Sequence, residues 1–376
     1  MTNGDAIAYN VATFVSTLFL LEFGADKFVD HTTIVARRTR IPGTIIALLT
    51  AGAEWEELVV VISSLAQGRS SLAVGNIIGS AISNILGAFS LGLLFGERGR
   101  PAEFDRSSRI YSLILLVITS FVTPVTYFHY RTIWLACGAI LIAAFTAYVI
   151  SISWAISKGS LIAPEDSDDD SSDDDSNTDS ARTSIDEEGS ESRETDALLN
   201  HEGNLAIGPQ SQRHSHHRRS LVYHIFYLVL GFLSICLAGY VLAHAATNIA
   251  DGIGISDVLF GVIILSIATT LPEKFVAVIS GHRGQIGILV ANTVGSNIFL
   301  LSLCMGIIML DTSGEFDGRN VNITELAVLW GSTLAFTLTI WFGGRLDRWI
   351  GGAMLAGYAA FIVLEFTVIH NITDTP

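Results

Sequence analysis

Apolar residues run through the 376-residue chain in ten windows, at roughly 7–25, 42–66, 71–95, 109–127, 132–156, 221–245, 257–280, 284–309, 323–343 and 349–370, each with few charges. Windows of about 18 to 25 apolar residues can cross roughly 30 Å of hydrocarbon as helices. A transmembrane barrel would alternate with period two over segments of about ten residues, and these windows are uniformly apolar. The pattern predicts ten membrane-spanning helices.

Two windows carry polar, glycine-rich interruptions: "GNIIGSAISN" from Gly75 to Asn84 and "ANTVGSNIFL" from Ala291 to Leu300. Subtracting 57 from 273 gives an offset of 216 that lays Glu57 on Glu273, Asn76 on Asn292, Gly79 on Gly295 and Ser80 on Ser296, with Gly24 near Gly239. A repeat of five spans has an odd number of crossings, so its second copy must run through the membrane in the opposite sense. The expected fold is an all-α polytopic membrane protein of about ten transmembrane helices in two inverted five-helix repeats, an arrangement typical of secondary transporters. The first repeat is expected over 1–157, a cytosolic loop over 158–220 and the second repeat over 221–376. The motifs "TAGAEWEEL" from Thr50 and "ATTLPEKF" from Ala268 are the expected helix interruptions around a midplane site.

Composition agrees with the hydropathy pattern: half of the residues are hydrophobic, 15% are charged and mean hydropathy is +0.51, whereas soluble domains carry about a quarter charged residues. The opening "MTNGDAIAYN" has no basic n-region, so the first span is expected to be retained. Cys137, Cys236 and Cys304 fall inside spans and read as small packing residues. With the N-terminus outside, Arg37, Arg38, Arg98, Arg106, Arg213, Arg345 and their basic neighbours face the cytosol, and Arg69, Arg131 and Arg319 the other side. That asymmetry obeys the positive-inside rule, and the "NIT" sequons at Asn322 and Asn371 then lie on the non-cytosolic side.

Net charge is −15, yet fifteen acids and only Arg182 and Arg193 lie between Glu165 and Asp196, so one loop carries −13 of it. Such a segment is expected to be disordered. A solvated linker is the favoured reading over a calcium-attracting or phosphorylatable tail, and the glycine that an EF-hand loop needs is missing. "RHSHHRR" from Arg213 to Arg219 reads as a headgroup anchor for the sixth span. "ETDALL" from Glu194 to Leu199 resembles an acidic dileucine sorting signal, implying a sorting adaptor at Glu194, Leu198 and Leu199 and a vacuolar or lysosomal membrane. No nucleophile–base set or phosphate loop points to an enzyme, and no nucleic-acid partner is expected.

A carboxylate in the bilayer costs at least a few kcal/mol and is a functional signal by default. Glu57 and Glu273 are such residues, placed symmetrically. Facing glutamates with serine hydroxyls, an amide and freed carbonyls make an all-oxygen cage suited to a hard cation such as calcium.

These motifs resemble those of the calcium/cation antiporter superfamily, in particular its sodium/calcium exchanger branch. The second repeat carries "ATTLPE" and "NTVGSN" where that branch has a hydroxyl-Pro-Glu element and a Gly-Ser-Asn element. The resemblance implies that Glu273 is a central calcium ligand, that Thr269 and Thr270 line cation sites, and that Ser296 gives an oxygen. In the first repeat it implies Glu57, Ser80 and Asn84 as carboxylate, hydroxyl and amide ligands. The chain departs from the pattern at Ala53, Glu54 and Glu56, and at Leu300, which stands opposite Asn84 in the repeat. Glu54, one turn before Glu57, is a possible additional ligand. Lys274 is expected to pair with Glu54 or Glu56.

The expected function is a secondary antiporter exchanging calcium, or a related divalent cation, for protons or sodium by alternating access, with no cofactor beyond the transported ions. The missing oxygen at Leu300 and the extra glutamates favour protons. The alternative is a transport-inactive relative that senses cations or acts as a scaffold.

Overall fold

The computed structural model describes residues 3–39, 54–96, 102–128, 131–157, 221–312, 321–344 and 346–369, and every regular element among them is helical. The helices are α1 (Asn3–Arg38), α2 (Trp55–Ala66), α3 (Ser70–Leu94), α4 (Arg106–Tyr127), α5 (Arg131–Ser157), α6 (Leu221–Ile253), α7 (Asp257–Thr269), α8 (Leu271–His282), α9 (Ile286–Thr312), α10 (Ile323–Phe342) and α11 (Asp347–Leu364). Among the described residues, eight are long and apolar enough to cross a membrane, and α7 with α8, bent by 48° at Thr270, together pass the same test as one broken span or a re-entrant loop. The expected span 42–66 is described only from Glu54 onward, where it forms α2. Ala53, the acidic segment, "RHSHHRR", "ETDALL" and Asn371 lie outside the described residues.

The repeat offset governs the element boundaries. Adding 216 to the ends of α2, Trp55 and Ala66, gives Leu271 and His282, the ends of α8. The same step carries Ser70–Ile82 onto Ile286–Ile298, and in each copy a π-helical segment follows, Ser83–Phe89 in α3 and Phe299–Cys304 in α9. A π segment breaks the regular hydrogen-bond ladder and is frequent at functional sites. A third, Phe260–Leu265, lies in α7.

Helices α3 and α9 form the centre, with 89% and 83% of their apolar windows buried against 17% to 28% for α1, α4, α5, α6 and α11. Glycines set how closely the central helices approach. A Cβ on Gly75 would stand 2.7 Å from Val258 O, and one on Gly261 would stand 2.8 Å from Asn76 N, so α3 and α7 meet backbone to backbone. Repeat-related helices also pair. α1 lies on α6, with His31 Nδ1 3.0 Å from His224 Nδ1, and α4 lies on α10, where Thr337 Oγ1 donates to Ser112 O at 3.3 Å. Cys137 and Cys304 are buried and Cys236 is half-buried, all three as free thiols.

Candidate cation site

Glu57 lies in the first turn of α2 and is 1% exposed. Its Oε1 accepts from Ser80 Oγ at 2.8 Å and from Thr269 Oγ1 at 2.6 Å, and Oε2 accepts from Asn76 Nδ2. Asn76 and Ser80 are one turn apart on α3 and present one face to the acid, while Thr269 arrives from the end of α7 in the other repeat. Thus Glu57, Ser80 and Thr269 come together as expected. Asn76 is an addition, foreshadowed only by its four-residue spacing from Ser80.

Glu273 lies in the first turn of α8, behind Pro272. It joins Glu54 and the half-buried Glu56: each of the three offers a carboxylate oxygen, and these oxygens lie within 4.8 Å of one another. Ser296 of α9 faces the Glu54 carboxyl. Like charges packed this closely out of water repel strongly unless a cation or protons intervene. Glu54 is therefore placed with Glu273, while Glu56, marked in the sequence as a departure from the family pattern and as a partner for Lys274, is a full member of the cluster.

Eight buried polar atoms have no hydrogen-bond partner among the described residues; besides Trp55 Nε1 and Glu365 Oε1, six lie on the helices that carry or face the carboxylates: Glu273 Oε2, Ser296 Oγ, Asn297 Oδ1, Asn76 Oδ1 and both polar atoms of the Asn84 side chain. An unsatisfied buried polar group costs about 1–3 kcal/mol. Five of these six atoms are oxygens, and their concentration on α3, α8 and α9 fits the donor set of a hard cation. Asn84 is one turn beyond Ser80 on α3 and is 1% exposed. Leu300, fully buried at the symmetric position, supplies no oxygen.

Two expectations fare differently. Thr270 is not aimed at the carboxylates: its hydroxyl donates to Ser266 O at 2.5 Å and lies 2.8 Å from Ser83 Oγ. Adjacent residues at a helix end point to different sides, so Thr269 and Thr270 divide between two environments. Lys274 does not pair with Glu54 or Glu56. Its ammonium donates to Ser83 Oγ at 2.8 Å, Thr270 Oγ1 at 2.5 Å and Thr270 O at 3.0 Å, because its stem turns back toward the break between α7 and α8 rather than toward α2.

The family pattern described as "Sodium/calcium exchanger protein" matches residues 9–154 and again 223–367, one match per repeat. The chain belongs to this family. The exchanger-family chain is 25% identical over 361 residues to the putative antiporter CaxA of Alkalimonas amylolytica, covering 93% of this chain and 96% of that one. It is 24% identical over 360 residues to the inner membrane protein YrbG of Escherichia coli (strain K12), covering 94% and 96%. Over 148 residues, 38% of this chain and 41% of the other, it is 29% identical to the sodium/calcium exchanger MaX1 of Methanosarcina acetivorans. Among solved structures, the sodium-calcium exchanger NCX_Mj soaked with Na+ and Sr2+ superposes with a TM-score of 0.55 at 21% identity, covering 95% of this chain and 98% of that one. Native YfkE superposes with a TM-score of 0.63 at 15% identity, covering 96% and 92%. The fold is thus that of an exchanger-type, multi-pass membrane protein.

Proposed function

We propose that this chain is a secondary antiporter that moves calcium, or a related divalent cation, in exchange for protons by alternating access. The observation that carries the reading is the cluster of Glu54, Glu56 and Glu273, with ligand oxygens within 4.8 Å of one another and Glu57 held across the repeat boundary by Thr269. Carboxylates gathered this closely have two low-energy conditions: occupied by a divalent cation, or neutralised by protons. Exchange follows because one condition excludes the other. The hydroxyls of Ser80 and Thr269, which donate to Glu57, can rotate to turn lone pairs toward an ion. Asn84 and Ser296 complete an all-oxygen set of the kind calcium takes.

The decisive measurement is uptake of calcium-45 into vesicles of the purified protein, under an imposed pH gradient and separately under a sodium gradient. Uptake driven by the pH gradient and lost in Glu57→Gln and Glu273→Gln is the expected result. Uptake driven by neither gradient, or unchanged in both variants, overturns it. "ETDALL" supports residence in an acidic vacuolar or lysosomal membrane, through an adaptor at Glu194, Leu198 and Leu199. Scrambling that motif should redistribute the protein.

A further inference from the structure

One cation in this region is covalently part of the protein. The Lys274 ammonium has three N–H donors, and each meets an oxygen: Ser83 Oγ at 2.8 Å, Thr270 Oγ1 at 2.5 Å and Thr270 O at 3.0 Å. The cradle is itself braced. Thr270 spends its proton on Ser266 O, Ser83 lies 2.8 Å from Thr270 Oγ1, and Tyr358 OH donates to Ser83 Oγ at 3.0 Å. One consistent assignment satisfies every donor, with Ser83 donating to Thr270 and both hydroxyl oxygens accepting from the lysine.

Space for the lysine stem comes from Gly87, one turn beyond Ser83, where a Cβ would stand 3.2 Å from Lys274 Cε. The oxygens belong to both repeats, Ser83 to the π segment of α3 and Thr270 to the break after α7. Two hydroxyls and a carbonyl at a half-helix C-terminus form the kind of oxygen set that holds a monovalent cation in transporters with interrupted helices. The site has no twin: subtracting 216 places Leu58 opposite Lys274, and adding it places Phe299 opposite Ser83.

We propose that the Lys274 ammonium is the permanent occupant of a monovalent-cation subsite formed by Ser83 and Thr270, so that the transport cycle binds no sodium there and divalent movement is independent of sodium. The proposal rests on the reading of the neighbouring glutamates as a cation pathway. It deepens that reading by assigning the site that sodium would otherwise fill. The same tether keeps the Lys274 amine among the groups that act on Glu57 and Glu273, which a diffusing ion would leave when it dissociates.

The test uses the full-length protein, as parent and as Lys274→Met, which keeps an apolar stem beside Gly87 and removes the charge. Equilibrium binding of sodium-22 to purified protein should reveal one more saturable sodium site in Lys274→Met than in the parent, lost again when Ser83→Ala is added. In vesicles under a constant pH gradient, parent calcium-45 uptake should be the same in sodium and in a bulky organic cation, while uptake by Lys274→Met should become sodium-dependent. A folded Lys274→Met that gains no sodium site overturns the proposal. Should that variant fail to fold, the parent decides: sodium-dependent calcium uptake overturns the proposal, and sodium-indifferent uptake supports it. If the parent moves no calcium under any gradient, the transport reading fails, and the sodium-binding comparison still decides the role of Lys274.

Discussion

Thr269 Oγ1 donates to Glu57 Oε1 across 2.6 Å, so a hydroxyl at the end of a second-repeat helix closes directly on the carboxylate of the first repeat. The bond spans 212 positions in the chain, and both partners are buried. Any movement of one repeat against the other must lengthen or break it. On the proposed reading, the candidate cation site and the surface across which the repeats would move coincide, as alternating access around a fixed site requires.

Thr269→Val keeps the shape of the side chain and removes this oxygen. A hydrogen bond to a charged group contributes about 1.5–3 kcal/mol, and 1.4 kcal/mol is tenfold in affinity. Calcium affinity should fall about tenfold or more, read by equilibrium calcium-45 binding, and because the same bond joins two buried helices of the folded protein, the melting temperature should fall with it.

Glu56 separates this chain from a site with one carboxylate per repeat. If the cluster with Glu54 and Glu273 holds the ion, Glu56→Gln should weaken calcium binding about tenfold, since it removes one negative charge and keeps the volume. Unchanged affinity in Glu56→Gln, beside a loss in Glu54→Gln, would exclude Glu56 from the ligand set.

Gly75 and Gly79 permit the contact between α3 and α7. A Cβ on Gly79 would meet the Val262 backbone and stand 2.7 Å from Ser266 Oγ. Overpacking of this kind costs typically about 1–3 kcal/mol, and here it would also push Ser80 away from Glu57. Gly79→Ala should lower the melting temperature and reduce calcium affinity together, whereas Gly352→Ala, whose Cβ would meet nothing closer than 3.9 Å, should change neither.

Outside the membrane, Asp105 caps α4. Desolvation pushes its carboxyl up, but bonds from Ser108 N at 2.9 Å and from Ser108 Oγ outweigh that and hold it below the ordinary carboxylate value. Because its folded value is lowered, the cap stabilises above the unfolded pKa and is lost as pH falls through the folded one. Asp105→Ala should destabilise by about 1 kcal/mol at neutral pH, and the difference from the parent should shrink in acid, measured by thermal unfolding in detergent across a pH series.

The framework of this molecule is legible in its sequence because two independent periodicities encode it, hydropathy over about twenty residues and the 216-residue repeat. The second reaches individual helix ends, as Trp55 and Leu271 show. Within the site, legibility stops at the direction of each side chain. The pair Thr269–Thr270 reads as one element in the sequence, yet the helix end turns one hydroxyl to Glu57 and the other to Lys274. Lys274 invites an acidic partner on charge alone, but its long stem reaches neutral oxygens contributed by a helix break and a π segment. Neither feature has a residue-type signature. Asn76 was hidden for another reason: its four-residue spacing from Ser80 serves close packing as readily as ligand binding, and only Glu57 opposite decides.

Leu300 offers the most direct test of the asymmetry. It is fully buried in the π segment of α9, at the position related by the repeat to Asn84. Leu300→Asn restores the amide, which keeps the branching at Cγ but is smaller and needs hydrogen-bond or cation partners. With no ion bound, an unsatisfied amide costs about 1–3 kcal/mol, so the variant should melt lower than the parent in chelator. A ligand that binds only the folded state stabilises by RT ln(1 + [L]/Kd). An added oxygen that strengthens calcium binding must therefore enlarge the calcium-induced rise in melting temperature. The expected signature is a lower starting point and a larger shift. A lower starting point with an unchanged shift would place residue 300 outside the ion's reach and leave Asn84 as an unpaired ligand.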